Sequence, residues 1–104
     1  MPTPVSIVTT YFKEKTTRSE SYKKFIRSQR CLVCGSVESQ HHHEPLNGRG
    51  IGLKGPDDES LPLCHKCHTE RHIKGRETFY VEHGIDWKLS VKEFQLIYGA
   101  MNNV

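Results

Sequence analysis

The sequence predicts a small α+β module braced by zinc and flanked by helices, and three observations carry that prediction. The chain has 104 residues, 35% of them hydrophobic and 26% charged, which is enough for one thinly cored domain and excludes a large enzyme cavity. Four cysteines fall into two C-x-x-C pairs, and most of the seven histidines lie between or just after them. A chain this short buries only about 60–70% of the surface its unfolded state exposes, so bound metal answers a stability problem that the apolar residues do not.

Residues 1–12 hold Pro2, Pro4 and the β-rich run Val5–Thr10, and read as an extended arm or edge strand. From about Ser19 to Arg30, Tyr22, Phe25 and Ile26 stand at i, i+3, i+4 among charged residues and predict a short amphipathic helix. The formal charge of +3 is uneven: Lys13 to Arg30 carries seven basic against two acidic residues, a net +5, and the remainder eight against ten, a net −2. Such a run is either a solvated helical face or a grip on a polyanion.

Residues 31–75 are poor in apolar periodicity and dense in Cys, His and Gly, the pattern of a metal-organised module. Within them, Gly48–Pro56 forms a glycine-rich loop of a length often reserved for function. Leu61-Pro62-Leu63 then leads into the second cysteine pair, and His65 to His72 fits two helical turns. Two supporting helices follow. One covers about Arg76–Glu82, with Phe79 and Tyr80 inward and Gly84 as its stop; the other starts at Ser90, where Ser90 and Glu93 have capping-box spacing, with Val91, Phe94, Ile97 and Tyr98 on its apolar side. The organisation expected is a basic arm and helix over 1–30, a metal module over 31–75 and supporting helices over 76–104, packed as one domain.

No apolar run approaches the ~18–20 residues that span a bilayer, and the N-terminus has no charged segment followed by a long apolar stretch. These features predict no membrane partner and a reducing, cytoplasmic setting, in which paired cysteines hold metal more readily than they form disulfides.

Cys31-Leu32-Val33-Cys34 and Cys64-His65-Lys66-Cys67 are separated by 29 residues. Each two-residue gap lets two thiolates of one tight turn converge on an ion, and four thiolates close a tetrahedral structural zinc site. The competing readings are two disulfides or a redox dithiol, and a redox site leaves one pair unexplained. A four-thiolate shell has no vacant position and does no hydrolysis itself. The histidines are different: His68 and His72 are four apart on one helical face, and His41-His42-His43 lies between the cysteine pairs. Two helical imidazoles plus one from the other segment would hold a divalent ion from one side and leave positions open to water and substrate.

The order C-x-x-C, His cluster, Gly-rich loop, C-x-x-C-H-x-x-x-H resembles the HNH endonuclease family over about residues 31–72. The similarity is to small bacterial and phage proteins with a His-His pair, G-x-G-x-x-K-x-x-D and P-L-C-x-x-[CH]-H-x-x-x-H. Those motifs fall here on His41-His42, Gly50–Asp57, which has one residue fewer between Gly52 and Lys54, and Pro62–His72. The resemblance implies a ββα-metal (His-Me finger) module: a hairpin and a helix clasping one catalytic ion. It implies that His41, His68 and His72 hold that ion (Mg²⁺, Mn²⁺, Ni²⁺ or Zn²⁺), that His42 is the general base, and that Cys31, Cys34, Cys64 and Cys67 hold structural Zn²⁺. The middle Asn of the motif is absent. Spacing from Cys64 points to Glu59 in its place and the K-x-x-D match to Asp57, in a role that orients hairpin and base. The triple histidine allows two registers, His41-His42 or His42-His43, and a one-residue shift along a strand reverses the face presented. Pro45, three after His42, and the distance from His42 to Lys54 favour the first.

The function implied is metal-dependent hydrolysis of DNA phosphodiesters, by nicking or double-strand cleavage, in the cytoplasm of a bacterial or phage-infected cell. Lys23, Lys24, Arg27, Arg49 and Lys54 are the residues expected on the phosphate backbone, giving affinity with weak sequence preference. The alternative is a non-catalytic, zinc-stabilised nucleic-acid-binding module.

Overall fold

A computed structural model describes residues 18–47 and 55–102, and within them six elements follow one another: α1 (Glu20–Arg27), β1 (Gln40–His43), β2 (Ser60–Leu63), α2 (His65–Lys74), α3 (Arg76–Glu82) and α4 (Trp87–Asn102). The arm expected over residues 1–12 lies outside the described residues, as do Arg49 and Lys54.

Helix α1 begins at Ser19, whose backbone is extended and whose side-chain oxygen accepts the Tyr22 N–H at 3.1 Å, satisfying one of the donors a helix start leaves open. Its buried stripe is Tyr22, Phe25 and Ile26. These residues pack against Phe94 and Tyr98 of α4, with the Tyr22 and Tyr98 rings edge-on at 4.8 Å.

Strands β1 and β2 pair antiparallel, with His41 opposite Pro62 and His42 opposite Leu61. On β1 the period of two is visible in burial: His42 is buried, while His41 and His43 are half-buried. Strand β2 is buried at every position. Pro62 has no N–H to give, but its carbonyl accepts the Leu32 N–H at 2.9 Å, so the first cysteine turn docks on β2.

Helix α2 starts directly after Cys64 and ends at Gly75, whose φ of +88° turns the chain into α3. Helix α3 stops at Gly84 (φ +67°) through two bonds, Gly84 N–H to the Val81 carbonyl and Ile85 N–H to the Tyr80 carbonyl, the Schellman arrangement. The last helix begins at Trp87, earlier than Ser90. Asp86 caps it by accepting the Leu89 N–H at 3.1 Å, and Ser90 Oγ bonds back to the Asp86 carbonyl, so Ser90 and Glu93 form no capping box. Trp87 explains the earlier start: it is buried, stacks on Tyr80 and carries the Arg76 guanidinium 4.4 Å above its ring. Ile97, expected on the inward side, is 47% exposed.

The main core joins Leu61, Leu63, Phe79, Tyr80, Trp87 and Val91 to Cys31, Cys64 and Cys67, so the cysteine cluster is continuous with the apolar interior. Phe94 packs against this core and against the α1 cluster, linking the two. Among the described residues, no helix is long and apolar enough to cross a membrane.

Candidate metal centre

The four cysteines are free of disulfides and their sulfurs lie within 4.8 Å of one another, Cys34 and Cys64 at 3.6 Å. A tetrahedral shell with Zn–S bonds of about 2.3 Å sets sulfurs about 3.8 Å apart, so the set fits zinc. Local backbone builds it. Cys31 and Cys34 sit in a turn closed by the Gly35 N–H on the Cys31 carbonyl, and Cys64 and Cys67 occupy the N-cap and first turn of α2. Burial pushes the Cys31 thiol up, but the backbone N–H groups of Cys34, Cys64 and Val33 outweigh it and bring Cys31 to about 6. Burial and the neighbouring sulfurs drive Cys67 the other way, as expected when several thiols share a small space without a cation.

A second cluster lies between β1 and α2. The ligating atoms of His42, His68 and His72 are within 4.8 Å of one another, and the His42 ring centroid is 4.5 Å from that of His68 and 5.4 Å from that of His72. His68 and His72 share one face of α2 through their i, i+4 spacing. Burial, then the nearby His42 and His72, pull His68 down to about 4; burial and His42 also lower His72. Both rings are therefore neutral near pH 7, the form that binds a metal ion.

The structure brings His42, rather than His41, together with the helical pair. His41 points to the opposite face of β1 and groups with His43 and Asp57. There, His43 Nε2 is 2.9 Å from Asp57 Oδ1 and His41 Nε2 is 3.0 Å from the Asp57 carbonyl oxygen. Pairing with β2 sets this phase, and with four strand residues every side chain's face follows from it.

Asp57 is buried and also accepts the Ser19 N–H at 2.8 Å and Arg18 Nη1 at 3.3 Å, so it ties the start of α1 to the hairpin. Burial raises its carboxyl, but the bond from His43, the Ser19 N–H and the charge of Lys23 prevail and hold it at about 2. Glu59 braces the hairpin from the other direction: its carboxylate accepts the Leu46 N–H at 3.0 Å and its carbonyl the Glu44 N–H at 2.8 Å. On α1, Lys24 and Arg27 are exposed, whereas Lys23 is half-buried and pairs with Glu20 at 3.0 Å.

Glu44 was not singled out by the motifs. It is wholly buried, two residues after His42 and on the same face of the extended chain. Its carboxylate meets His42 Nε2 at 2.9 Å, Arg71 in a bidentate pair at 2.8 and 2.9 Å, and the Tyr80 hydroxyl at 2.7 Å. Burial raises Glu44, but the bonds from Arg71, His42 and Tyr80 hold it at about 2. The period-two spacing from His42 was the available signal, though it names neither Arg71 nor Tyr80.

Strand β1 and helix α2 share one imidazole cluster, beside a cysteine cluster that joins the turn before β1 to the start of α2, and this places the chain in the class of HNH-like ββα-metal modules with a zinc site. By sequence, the chain belongs to the family of proteins of unknown function called DUF968, which matches residues 3–99. It is similar to the uncharacterized protein YdfU of Escherichia coli (strain K12), at 36% identity over 61 residues that make up 58% of this chain and 18% of that protein. The match thus spans less than a fifth of the relative's length. No solved structure matches the chain.

Proposed function

We propose that the protein is a metal-dependent endonuclease of the HNH type that hydrolyses DNA phosphodiester bonds. One observation carries the reading: His42, His68 and His72 converge on one side of β1, while the next residue, His43, pairs with a buried carboxylate on the other. In this reading His42, His68 and His72 hold the catalytic ion, and Cys31, Cys34, Cys64 and Cys67 hold structural zinc. A divalent ion held by these three imidazoles would supply positive charge to the phosphodiester in the transition state and to the departing oxygen.

His43 is the general base. Asp57, an acceptor, receives the Nε2–H hydrogen bond and so leaves Nδ1 free to remove a proton from the attacking water. His43 keeps 24% of its side-chain surface exposed, against 4% for His42, so His43 rather than His42 is open to that water. Asp57 and Glu59 share the orienting work of the missing Asn, the first on the base and the second on the hairpin. Lys24 and Arg27, with Lys23, Arg49 and Lys54, bind the phosphate backbone without reading bases, which gives weak sequence preference.

Nicking of supercoiled plasmid in Mg²⁺, Mn²⁺ or Ni²⁺ tests this reading. The wild type is expected to convert plasmid to the relaxed form and His43→Ala to lose that activity. DNA binding without cleavage in every metal would instead identify a zinc-stabilised binding module.

A further inference from the structure

We propose that Glu44 is the positioning residue of the histidine metal site: by accepting a proton-bearing Nε2 from His42, it fixes that ring in the tautomer whose Nδ1 is the metal donor. The inference rests on the reading that His42, His68 and His72 hold an ion.

The argument is one of donors and acceptors. Glu44 Oε2 receives Arg71 Nε at 2.9 Å and the Tyr80 hydroxyl at 2.7 Å, and Oε1 receives Arg71 Nη2 at 2.8 Å, so with His42 Nε2 the carboxylate meets four donors, about its full accepting capacity. It is also fully buried and stands outside the convergent imidazole set. Glu44 is therefore not a ligand. A carboxylate only accepts, so His42 Nε2, 2.9 Å away, is the protonated nitrogen and its lone pair sits on Nδ1. His68 has the opposite arrangement: its Nδ1 is 2.8 Å from Gln40 Oε1 and donates to it, which leaves Nε2 for the metal. The site thus combines an Nδ1 donor from the strand with an Nε2 donor from the helix.

The same contacts fix distance as well as tautomer. Arg71 lies between His68 and His72 on α2, and Tyr80 lies on α3, so Glu44 ties the strand ligand to the helix carrying the other two. A carboxylate behind a ligating imidazole also raises its basicity, and loss of such partners costs 10–100-fold in metal affinity.

Two measurements decide. In zinc-loaded wild type labelled with ¹⁵N-histidine, long-range ¹H–¹⁵N spectra should show His42 with a protonated Nε2 and a metal-bound Nδ1, and His68 the reverse. Metal on Nε2 of His42 would overturn the inference. Co²⁺ titration of protein holding zinc at its cysteines should show binding weakened roughly 10–100-fold in Glu44→Gln. Unchanged affinity in a variant that retains its cysteine-bound zinc would also overturn it. If Glu44→Gln does not fold, the wild-type spectra decide alone. If no ion binds the wild-type histidines, the failure belongs to the reading of the site rather than to the role of Glu44.

Discussion

His43 Nε2 and Asp57 Oδ1 stand 2.9 Å apart on the face of β1 opposite His42. Adjacent histidines of one short strand are thereby committed to different partners, His42 to α2 and His43 to the segment before β2. Three single substitutions separate their roles. His42→Ala should abolish Co²⁺ binding at the imidazole site, and nicking with it. His43→Ala should keep that binding and lose about 10²–10⁴-fold in nicking rate, the range for a general base. Nicking retained by His43→Ala but lost by His41→Ala with the metal still bound would move the base to His41.

Asp57 also makes stability depend on acid. Its carboxyl is held at about 2 against an ordinary 3.8, because the His43 bond, the Ser19 N–H and Lys23 outweigh burial. A depressed carboxyl contributes stability above its unfolded value and loses it as pH falls through the folded one. The window here runs from 3.8 down to about 2. Asp57→Asn should therefore cost about 2 kcal/mol near pH 7, with the gap still present at about pH 5, in thermal melts of the zinc-loaded proteins. A gap already closed at about pH 5 would reject the depressed carboxyl as its source.

The residues that the sequence made legible are those whose partners lie near in the chain or whose chemistry admits few alternatives. Two C-x-x-C pairs and an i, i+4 histidine pair require only a turn and a helix to converge, and Arg76–Glu82 is bounded by glycines at both ends. The phase of β1 is different, because it depends on the strand it pairs with. Counting from His42 to Pro45 and Lys54 measures distance along the chain and says nothing about which imidazole faces α2. The Glu44 network was harder still, since Arg71 and Tyr80 are 27 and 36 residues away and only packing of α2 and α3 brings them together. At Trp87, burial of the indole overrode a local capping signal at Ser90.

Gly55 sits where the chain segment bearing Asp57 crosses the end of the first strand. A Cβ added there would lie 2.5 Å from Pro45 Cγ and 3.2 Å from Pro45 Cβ, and a pyrrolidine ring has little room to yield. The Gly55 carbonyl also accepts Arg18 Nη1 at 2.7 Å, so displacement would reach the start of α1 as well. Gly55→Ala should cost about 1–3 kcal/mol, the usual penalty for overpacking, and lower the Tm by several degrees. It should also slow nicking by loosening Asp57 from His43, with metal binding at His42, His68 and His72 little changed. An unaltered melting curve would show that the crossing is not tightly packed.

Electrostatic binding through α1 predicts a particular salt response. Lys24 and Arg27 are exposed on the last turn, whereas Lys23 is half-buried and engaged with Glu20. Each lost contact with duplex phosphate should reduce the slope of log affinity against log salt by about 0.9. The double variant Lys24→Ala/Arg27→Ala should therefore lose roughly 2 from that slope, and Lys23→Ala well under 1. Side chains that meet phosphate rather than base edges carry no sequence information, so on the proposed reading the loss should be equal on duplexes of unrelated sequence. Fluorescence anisotropy over a salt series measures both. An unchanged slope in the double variant would remove α1 from the interface, and a loss confined to one sequence would assign these residues to base recognition.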